Sequence, residues 1–319
     1  MQDILTCAMG LDIHRDVIVA CLAKGELGTD PEIEIRSFST LIPEMRKLRD
    51  WVLEAECHYV AMESTGIYWQ PIYEMLEPCF DGQISILVVN ARHMKNVPGR
   101  KTDMRDAQWI ATLLRAGLLK GSFIPDKTFR ELRHLTRYRK SIVRDITAQK
   151  NRIDKFLQSS GFRFTAFLSD AFGASGRNII RHLMEYGNIS REALDRCLKT
   201  QTRKRIDEIL IALNGSLSEH QRGFLRMIFG HLEALEQHRH TVEDAITKEI
   251  TKHEEALSLL CSIPGIDVTA AAAIIAEIGT DMSAFPDSQH ICSWAGLSPG
   301  NNESAGKRKS AHINKVIRI

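Results

Sequence analysis

The chain has 319 residues, 44% of them hydrophobic and 26% charged, enough for two or three soluble domains with sizeable cores. No apolar stretch approaches the roughly 18 residues that span a membrane, and the N-terminus MQDILTCAMGLDIHRD lacks the basic region and long apolar run of a secretory signal; a cytoplasmic protein is expected. The formal charge of +2 excludes little as a total, but it is unevenly spread.

Residues 1–90 hold 6 Lys/Arg and 15 Asp/Glu, residues 91–126 hold 7 and 3, residues 127–210 hold 19 and 9, and residues 211–319 hold 10 and 13. From Ser304 to Ile319 there are five Lys/Arg and no acid. An acidic first block, a basic middle and a basic tail point to a polyanion whose phosphates meet local basic surfaces. Helical segments also favour Lys and Arg by propensity alone, so charge is a modest argument.

In chain order, Thr6–Ile13 is an apolar run with an acid near its end, and Asp16–Ala23 a second strand close enough for a hairpin. Glu32–Ser39 (EIEIRSFS) alternates like a half-exposed strand. Leu41–Glu56 places Leu41, Met45, Leu48, Trp51 and Val52 on one helical face. A strand at His58–Glu63, a helix at Gly66–Glu77 and a buried strand at Ile84–Val89 follow. Residues 90–101 form a basic loop, and Asp103–Leu119 a helix with Trp109, Ile110, Leu113 and Leu114 as its apolar positions. The order β-β-β-α-β-α-β-α predicts an α/β domain over 1–125.

Beyond Pro125 strand signals stop. Lys127–Leu157 and Ser218–His253 read as two long helices able to pair as a coiled-coil hairpin, with shorter helices over Arg177–Leu213 broken at Gly187 and Asn214–Gly215. This gives a basic all-α region over 126–255 and a mostly α C-terminal domain over 256–319. The seven cysteines form no C-x-x-C pair and no zinc spacing, and are expected to be reduced, buried small side chains.

Four acids sit where chemistry can use them. Asp12 lies inside an apolar strand, where a carboxylate costs several kcal/mol unless it is paired or binds a cation. Glu63 ends the fourth strand, and Asp103 and Asp106 stand at i and i+3 near a helix N-terminus. Singly, each has an ordinary structural role: a turn cap, an ion pair or a dipole-complementing acid. Asp16 competes with Asp12 but falls past the strand end. In a ribonuclease H-like fold the first and fourth strands are neighbours and the last helix packs over them, which gathers all four. Such oxygen ligands suit Mg²⁺, and two ions roughly 4 Å apart suit phosphodiester chemistry.

GLDIHRD, AMESTGIYW and VPGRKTDMRDAQWIATLL resemble the DEDD-type transposases of bacterial insertion sequences, the insertion-sequence one-hundred-and-ten family related to the Piv-type invertases, whose first domain is RuvC-like. The resemblance implies metal-binding catalytic carboxylates at Asp12, Glu63, Asp103 and Asp106, with two Mg²⁺ ions. Further along, LLCSIPGIDVTAAAAIIAEIGT (259–280) has the form of a helix-hairpin-helix, whose turn at Gly265 and second helix N-terminus hold a DNA phosphate; an ordinary Ala-rich helix-turn is the plainer reading. The segment GLSPGNNESAGKRKS is loop-like, with Ser298, Ser304 and Ser310 equal candidates on local grounds. The family resemblance singles out Ser304 as the nucleophile that makes a phosphoserine link to DNA, assisted by the carboxylates across a composite site. It also implies a guide RNA and self-association as a dimer or tetramer.

The basic residues read as nucleic-acid contacts are Arg100, Lys101 and Arg105, then Arg137, Arg139 and Lys140, then Lys307, Arg308 and Lys309. The family continues past the region that ends here, so the C-terminal domain is expected to be cut short. Three other readings stand beside the transposase: a resolvase-like nuclease with Ser304 idle, a non-catalytic nucleic-acid-binding remnant, and an actin-like sugar kinase, which the absence of glycine-rich phosphate loops argues against.

Overall fold

Five apolar runs in the first 90 residues pair into one mixed sheet. The structure is a computed structural model; it describes residues 3–64, 66–80, 84–90 and 106–297, and the backbone alone of 302–304 and 307–310. It divides into two compact units, Met1–Ile124 and Pro125–Ile319.

In the first unit the elements are β1 (Cys7–Ile13), β2 (Val17–Lys24), β3 (Glu32–Ser39), α1 (Ile42–Glu54), β4 (Tyr59–Glu63), α2 (Gln70–Leu76), β5 (Ser85–Val89) and α3 (Asp106–Arg115). The sheet order is β3-β2-β1-β4-β5. β2 is antiparallel to both β1 and β3, whereas β1–β4 and β4–β5 are parallel. The first and fourth strands are therefore neighbours, as expected of a ribonuclease H-like domain.

The two faces are built from residues of different size. Met9, Leu11, Ile18, Leu22, Val60 and Met62 pack with Leu48, Trp51 and Val52 of α1 and Ile72 and Leu76 of α2. The opposite face offers Ala8, Cys21, Ala23 and Ala61 to Ala107, Ile110, Ala111 and Leu114 of α3. Small side chains there let a helix come close to the sheet.

Helix ends depart from the expected ones. Residues 66–69 are a turn, with Gly66 at φ 58°, so α2 starts at Gln70 with Pro71 in its first turn. α3 ends at Arg115 because Gly117 enters the left-handed region at φ 67°. Helix α1 closes through Glu56 at φ 51°, with the Glu56 N–H donating to Leu53 O at 3.0 Å and the Cys57 N–H to Val52 O at 3.1 Å.

The second unit is mostly helical: α4 (Lys127–Ser159), α5 (Ala174–Tyr186), α6 (Arg191–Cys197), α7 (Thr200–Arg203), α8 (Ile206–Ala212), α9 (Glu219–Ile250), α10 (Glu254–Cys261), α11 (Val268–Ile278) and α12 (Ser288–Trp294). The long α4 and α9 run antiparallel: Tyr138 bonds His238 at 2.8 Å, the Gln149 amide donates to Ile228 O at 2.6 Å, and Phe156 meets Phe224 at 5.0 Å. Ile142, Ile146, Ile153 and Leu157 share one core with Leu225, Phe229, Leu232 and Ile246, and α5, α6 and α8 bury Ile180, Leu194 and Ile209 in it. A full capping box at Ser218 and Gln221 starts α9.

The stretches 126–255 and 256–319 share this unit. α11 buries Ala272, Ile275 and Ala276 in the same core, and its buried Glu277 pairs with Arg133 at 3.0 Å and Arg137 at 2.8 Å on α4. The loop expected near the C-terminus contains a two-stranded antiparallel ribbon, β6 (Asn302–Ser304) and β7 (Lys307–Ser310). Such a ribbon needs only backbone pairing, so apolar periodicity did not announce it. All seven cysteines are free. Cys21 and Cys57 are buried as expected, but Cys292 is exposed and the rest are half-buried.

Glu56 holds a conformation that L side chains adopt at a cost, whereas glycine does not. Glu56→Gly is expected to raise unfolding stability by about 1 kcal/mol in chemical denaturation.

Candidate active site

The parallel ladder between β1 and β4 matches Met9 with Val60, Gly10 with Ala61 and Leu11 with Met62. One step further along the same register, Asp12 stands beside Glu63. Strand side chains alternate, so Asp12 shares the face of Gly10, and Glu63 that of Ala61. This is the face that α3 covers. The Asp12 side chain is only 17% exposed, and its Oδ2 lies 3.2 Å from His14 Nε2. Asp16, the competing acid, is 87% exposed in the turn beyond the strand.

Helix α3 lies directly on the β1 backbone. A Cβ on Gly10 would stand 2.2 Å from Ala107 O and 2.4 Å from Ala111 N. Later helix residues reach the start of β1: Ile110 and Leu114 cluster with Ala8, and Arg115 O accepts from the Ile4 and Leu5 N–H groups at 2.9 and 3.1 Å. The helix thus runs opposite to β1, and its first residue, Asp106, arrives at the sheet edge that carries Asp12 and Glu63. Buried Arg115 pins the other end, donating to Leu5 O at 2.9 Å, Gly25 O at 3.1 Å and Glu26 O at 2.9 Å, with Asp3 at 3.2 Å as its ion-pair partner.

The donor set at this edge is carboxylate oxygen with one imidazole, a chemistry that suits a hard divalent cation. Among the described residues, no three His, Cys, Asp or Glu stand close enough together to hold a metal ion. Asp103, the fourth acid, lies outside the described residues, as do Arg100, Lys101 and Arg105.

In the second unit, Arg137, Arg139 and Lys140 line a cavity of about 610 Å³ together with Glu243, Asp267 and Glu277. Arg137 and Arg139 are engaged within the fold by named acids. Arg137 makes a two-pronged pair with Glu277 at 2.8 and 3.0 Å, and Arg139 meets Glu243 at 2.7 Å. Gly265 adopts φ 92° in the turn between α10 and α11, where the Ile266 N–H donates to Ile263 O at 3.1 Å. Asp267 caps α11 by accepting from the Ala270 N–H at 2.7 Å. A phosphate at that helix start would face this carboxylate, which weakens the helix-hairpin-helix reading. Ser304 pairs with Lys307, and Glu303 with Arg308, across the β6–β7 ribbon, which also carries Lys309.

His14, Gly10, Arg115 and Glu277 are site or support residues that the motif reading passed over. His14 had a signal, two residues from Asp12. Gly10 had only the absence of a side chain in an apolar strand.

Comparison with known proteins defines the class. Residues 9–161 match a family model described as a transposase, the DEDD type of IS110, and residues 257–318 match the transposase family IS116/IS110/IS902. Together they take in about two thirds of the chain, and the chain belongs to this IS110 family of transposases. It is similar to the 43.6 kDa protein of insertion element IS110 from Streptomyces coelicolor, at 28% identity over 67% of this chain and 56% of that one. It is also similar to y4qE of Sinorhizobium fredii, which bears a transposase name, at 22% identity over 68% and 44%. The chain thus spans about half the length of the curated relatives it matches. Thermus thermophilus RuvC overlaps 36% of this chain and 99% of its own, at 12% identity and a TM-score of 0.26; the sheet order given above stands independently of that likeness. Among the described residues, no helix is long and apolar enough to cross a membrane.

Gly10→Ala forces backbone against backbone where α3 crosses β1. It is expected to destabilise the first unit by about 3 kcal/mol, seen as a lower denaturation midpoint. An unchanged midpoint would mean that α3 has room to yield.

Proposed function

We propose that this chain cuts and rejoins DNA strands for an insertion sequence, using the carboxylate edge of the first unit and Ser304 of the second. The observation that carries the reading is the parallel register that puts Asp12 beside Glu63 on the face where Asp106 arrives. The family matches support the transposase class.

Asp12, Glu63, Asp103 and Asp106 would hold two Mg²⁺ ions, which when bound supply Lewis-acid stabilisation of charge on the phosphate oxygens. Asp12 and Glu63 are held by strand register, and Asp106 starts a helix whose far end Arg115 anchors; no three of the described groups stand within reach of one ion, so metal binding would draw these carboxylates closer together. Ser304 attacks the scissile phosphorus through Oγ, forming a phosphoserine bond while the DNA 3′ oxygen leaves and takes up a proton. A free 3′ hydroxyl then attacks the same phosphorus, giving up its proton and returning the serine hydroxyl. Lys307, Arg308 and Lys309 follow Ser304 in the ribbon and favour a phosphodiester beside it. Arg100, Lys101, Arg105, Arg137, Arg139 and Lys140 are further candidate phosphate contacts, and Arg137 and Arg139 would have to share their charge with Glu277 and Glu243.

The partners under this reading are DNA and an element-encoded guide RNA, with the chain acting as a dimer or tetramer. The net basic block at 127–210 supports a nucleic-acid partner without choosing between DNA and RNA.

Asp12→Ala, Glu63→Ala and Asp106→Ala are each expected to lower strand cleavage by about a hundredfold or more, with DNA binding kept, in a labelled-substrate assay. Normal cleavage by Asp12→Ala would sink the carboxylate assignment. Ser304→Ala is expected to abolish the covalent protein–DNA adduct seen on denaturing gels. Strand joining that persists in this variant would favour the resolvase-like nuclease, in which the carboxylates act alone.

A further inference from the structure

At the acid edge the chain turns from β1 back into β2 through His14, Arg15 and Asp16. Backbone bonds and a neighbouring residue hold this turn. The His14 N–H donates to Val17 O at 2.9 Å. Just past β3, Thr40 donates from its hydroxyl to Arg15 O at 2.9 Å and from its N–H to Asp16 O at 3.4 Å. None of these bonds uses the His14 ring, so the turn does not need it. The ring instead faces the strand it follows, with Nε2 lying 3.2 Å from Asp12 Oδ2.

The two partners differ in their access to water. The His14 side chain is 59% exposed and that of Asp12 only 17%. A carboxylate largely withdrawn from water needs donors or a cation. Among the described residues, the His14 imidazole is the one group bonded to the Asp12 side chain. Arg15, the next cation in the turn, lies instead 3.7 Å from Asp16. An ionised carboxylate only accepts, so the ring donates from Nε2. The neutral Nε2–H tautomer and the imidazolium both do so, and the contact does not depend on the charge of the ring. The bond restrains rotation of the carboxylate and leaves Oδ1 for another partner.

We propose that His14 is a positioning residue for the acid edge: its Nε2–H holds Oδ2 of Asp12 so that Oδ1 is presented to a divalent cation. The inference rests on the metal-binding reading of Asp12 given above. Since the acids must draw together around an ion, a carboxylate already held in place gives the others a fixed point. A ligating carboxylate supported by a donor loses less freedom when the cation arrives, and removing such a support weakens metal binding or activity about ten- to a hundredfold. The ring is not itself a ligand under this proposal. Nε2, the nitrogen that faces Asp12, carries a hydrogen and has no lone pair to give a metal.

The test is to titrate the full chain with Mn²⁺ and follow the free ion by electron paramagnetic resonance. Asp12→Ala and His14→Ala are each expected to weaken binding about tenfold or more. His14→Gln, whose side-chain amide nitrogen can stand where Nε2 stands, is expected to stay within about twofold of the unaltered chain. Strand cleavage is expected to follow the same order, with equal denaturation midpoints because the turn keeps its backbone bonds. If Asp12→Ala binds Mn²⁺ as well as the unaltered chain, the metal-binding reading fails and the inference falls with it. If Asp12→Ala binds weakly but His14→Ala normally, or if His14→Gln is as weak as His14→Ala, the metal-binding reading stands and the positioning role is overturned. Nitrogen magnetic resonance of the imidazoles in the metal-free chain gives a second check, with the His14 signal identified by its loss in His14→Gln. It is expected to show a proton on Nε2 and to shift in Asp12→Ala. A ring protonated on Nδ1 alone overturns the proposal.

Discussion

Helix α3 can lie on β1 only because residue 10 has no side chain. Backbone atoms of Ala107 and Ala111 occupy the space a methyl group would need. The close approach goes with the small Ala8, Cys21, Ala23 and Ala61 on this face, whereas the other face carries Met9, Leu11, Ile18, Leu22, Val60 and Met62. It also sets the height and direction of the helix. With Arg115 anchoring its far end to the carbonyls of Leu5, Gly25 and Glu26, the near end has one place to go, beside Asp12 and Glu63. The candidate active site thus depends on a packing contact made entirely of small groups.

The second unit is organised by charge as well as by its apolar seam. The basic block at 127–210 and the acidic balance of 211–319 meet across the bundle: Arg139 with Glu243, Arg177 with Glu236, Arg181 with Glu233, and Arg133 and Arg137 with Glu277. The charge count by segment therefore overstates the positive surface open to nucleic acid. Part of it serves the helices themselves. Glu277 matters most here, because a buried carboxylate needs its partners, and those partners fasten α11 to α4.

Much of this architecture was legible from periodicity. Alternation in EIEIRSFS and the apolar runs at 6–13 and 84–89 marked strands within a residue or two of β1, β3 and β5, because burial on one or both faces writes directly into the sequence. The long helices were equally plain, since 33- and 32-residue amphipathic stretches repeat their pattern many times. Helix ends were less so. Gly66 and Gly117 stop or delay helices by adopting positive φ, and only backbone geometry reveals that choice. The β6–β7 ribbon carried no apolar alternation, so nothing in its composition marked it.

Composition, motif and element order alone were enough to mark the acids Asp12, Glu63 and Asp106 as a group and to place them on a strand, a strand end and a helix start, because residue type and local period are properties of the chain itself. Which atoms stand side by side was a matter for the tertiary structure. Strand register, the bare backbone at Gly10 under α3 and the pairing of Arg137 with Glu277 all join residues far apart in sequence, which no local pattern encodes. The physical reason is that pairing and close packing are resolved only when whole elements compete for the same surface.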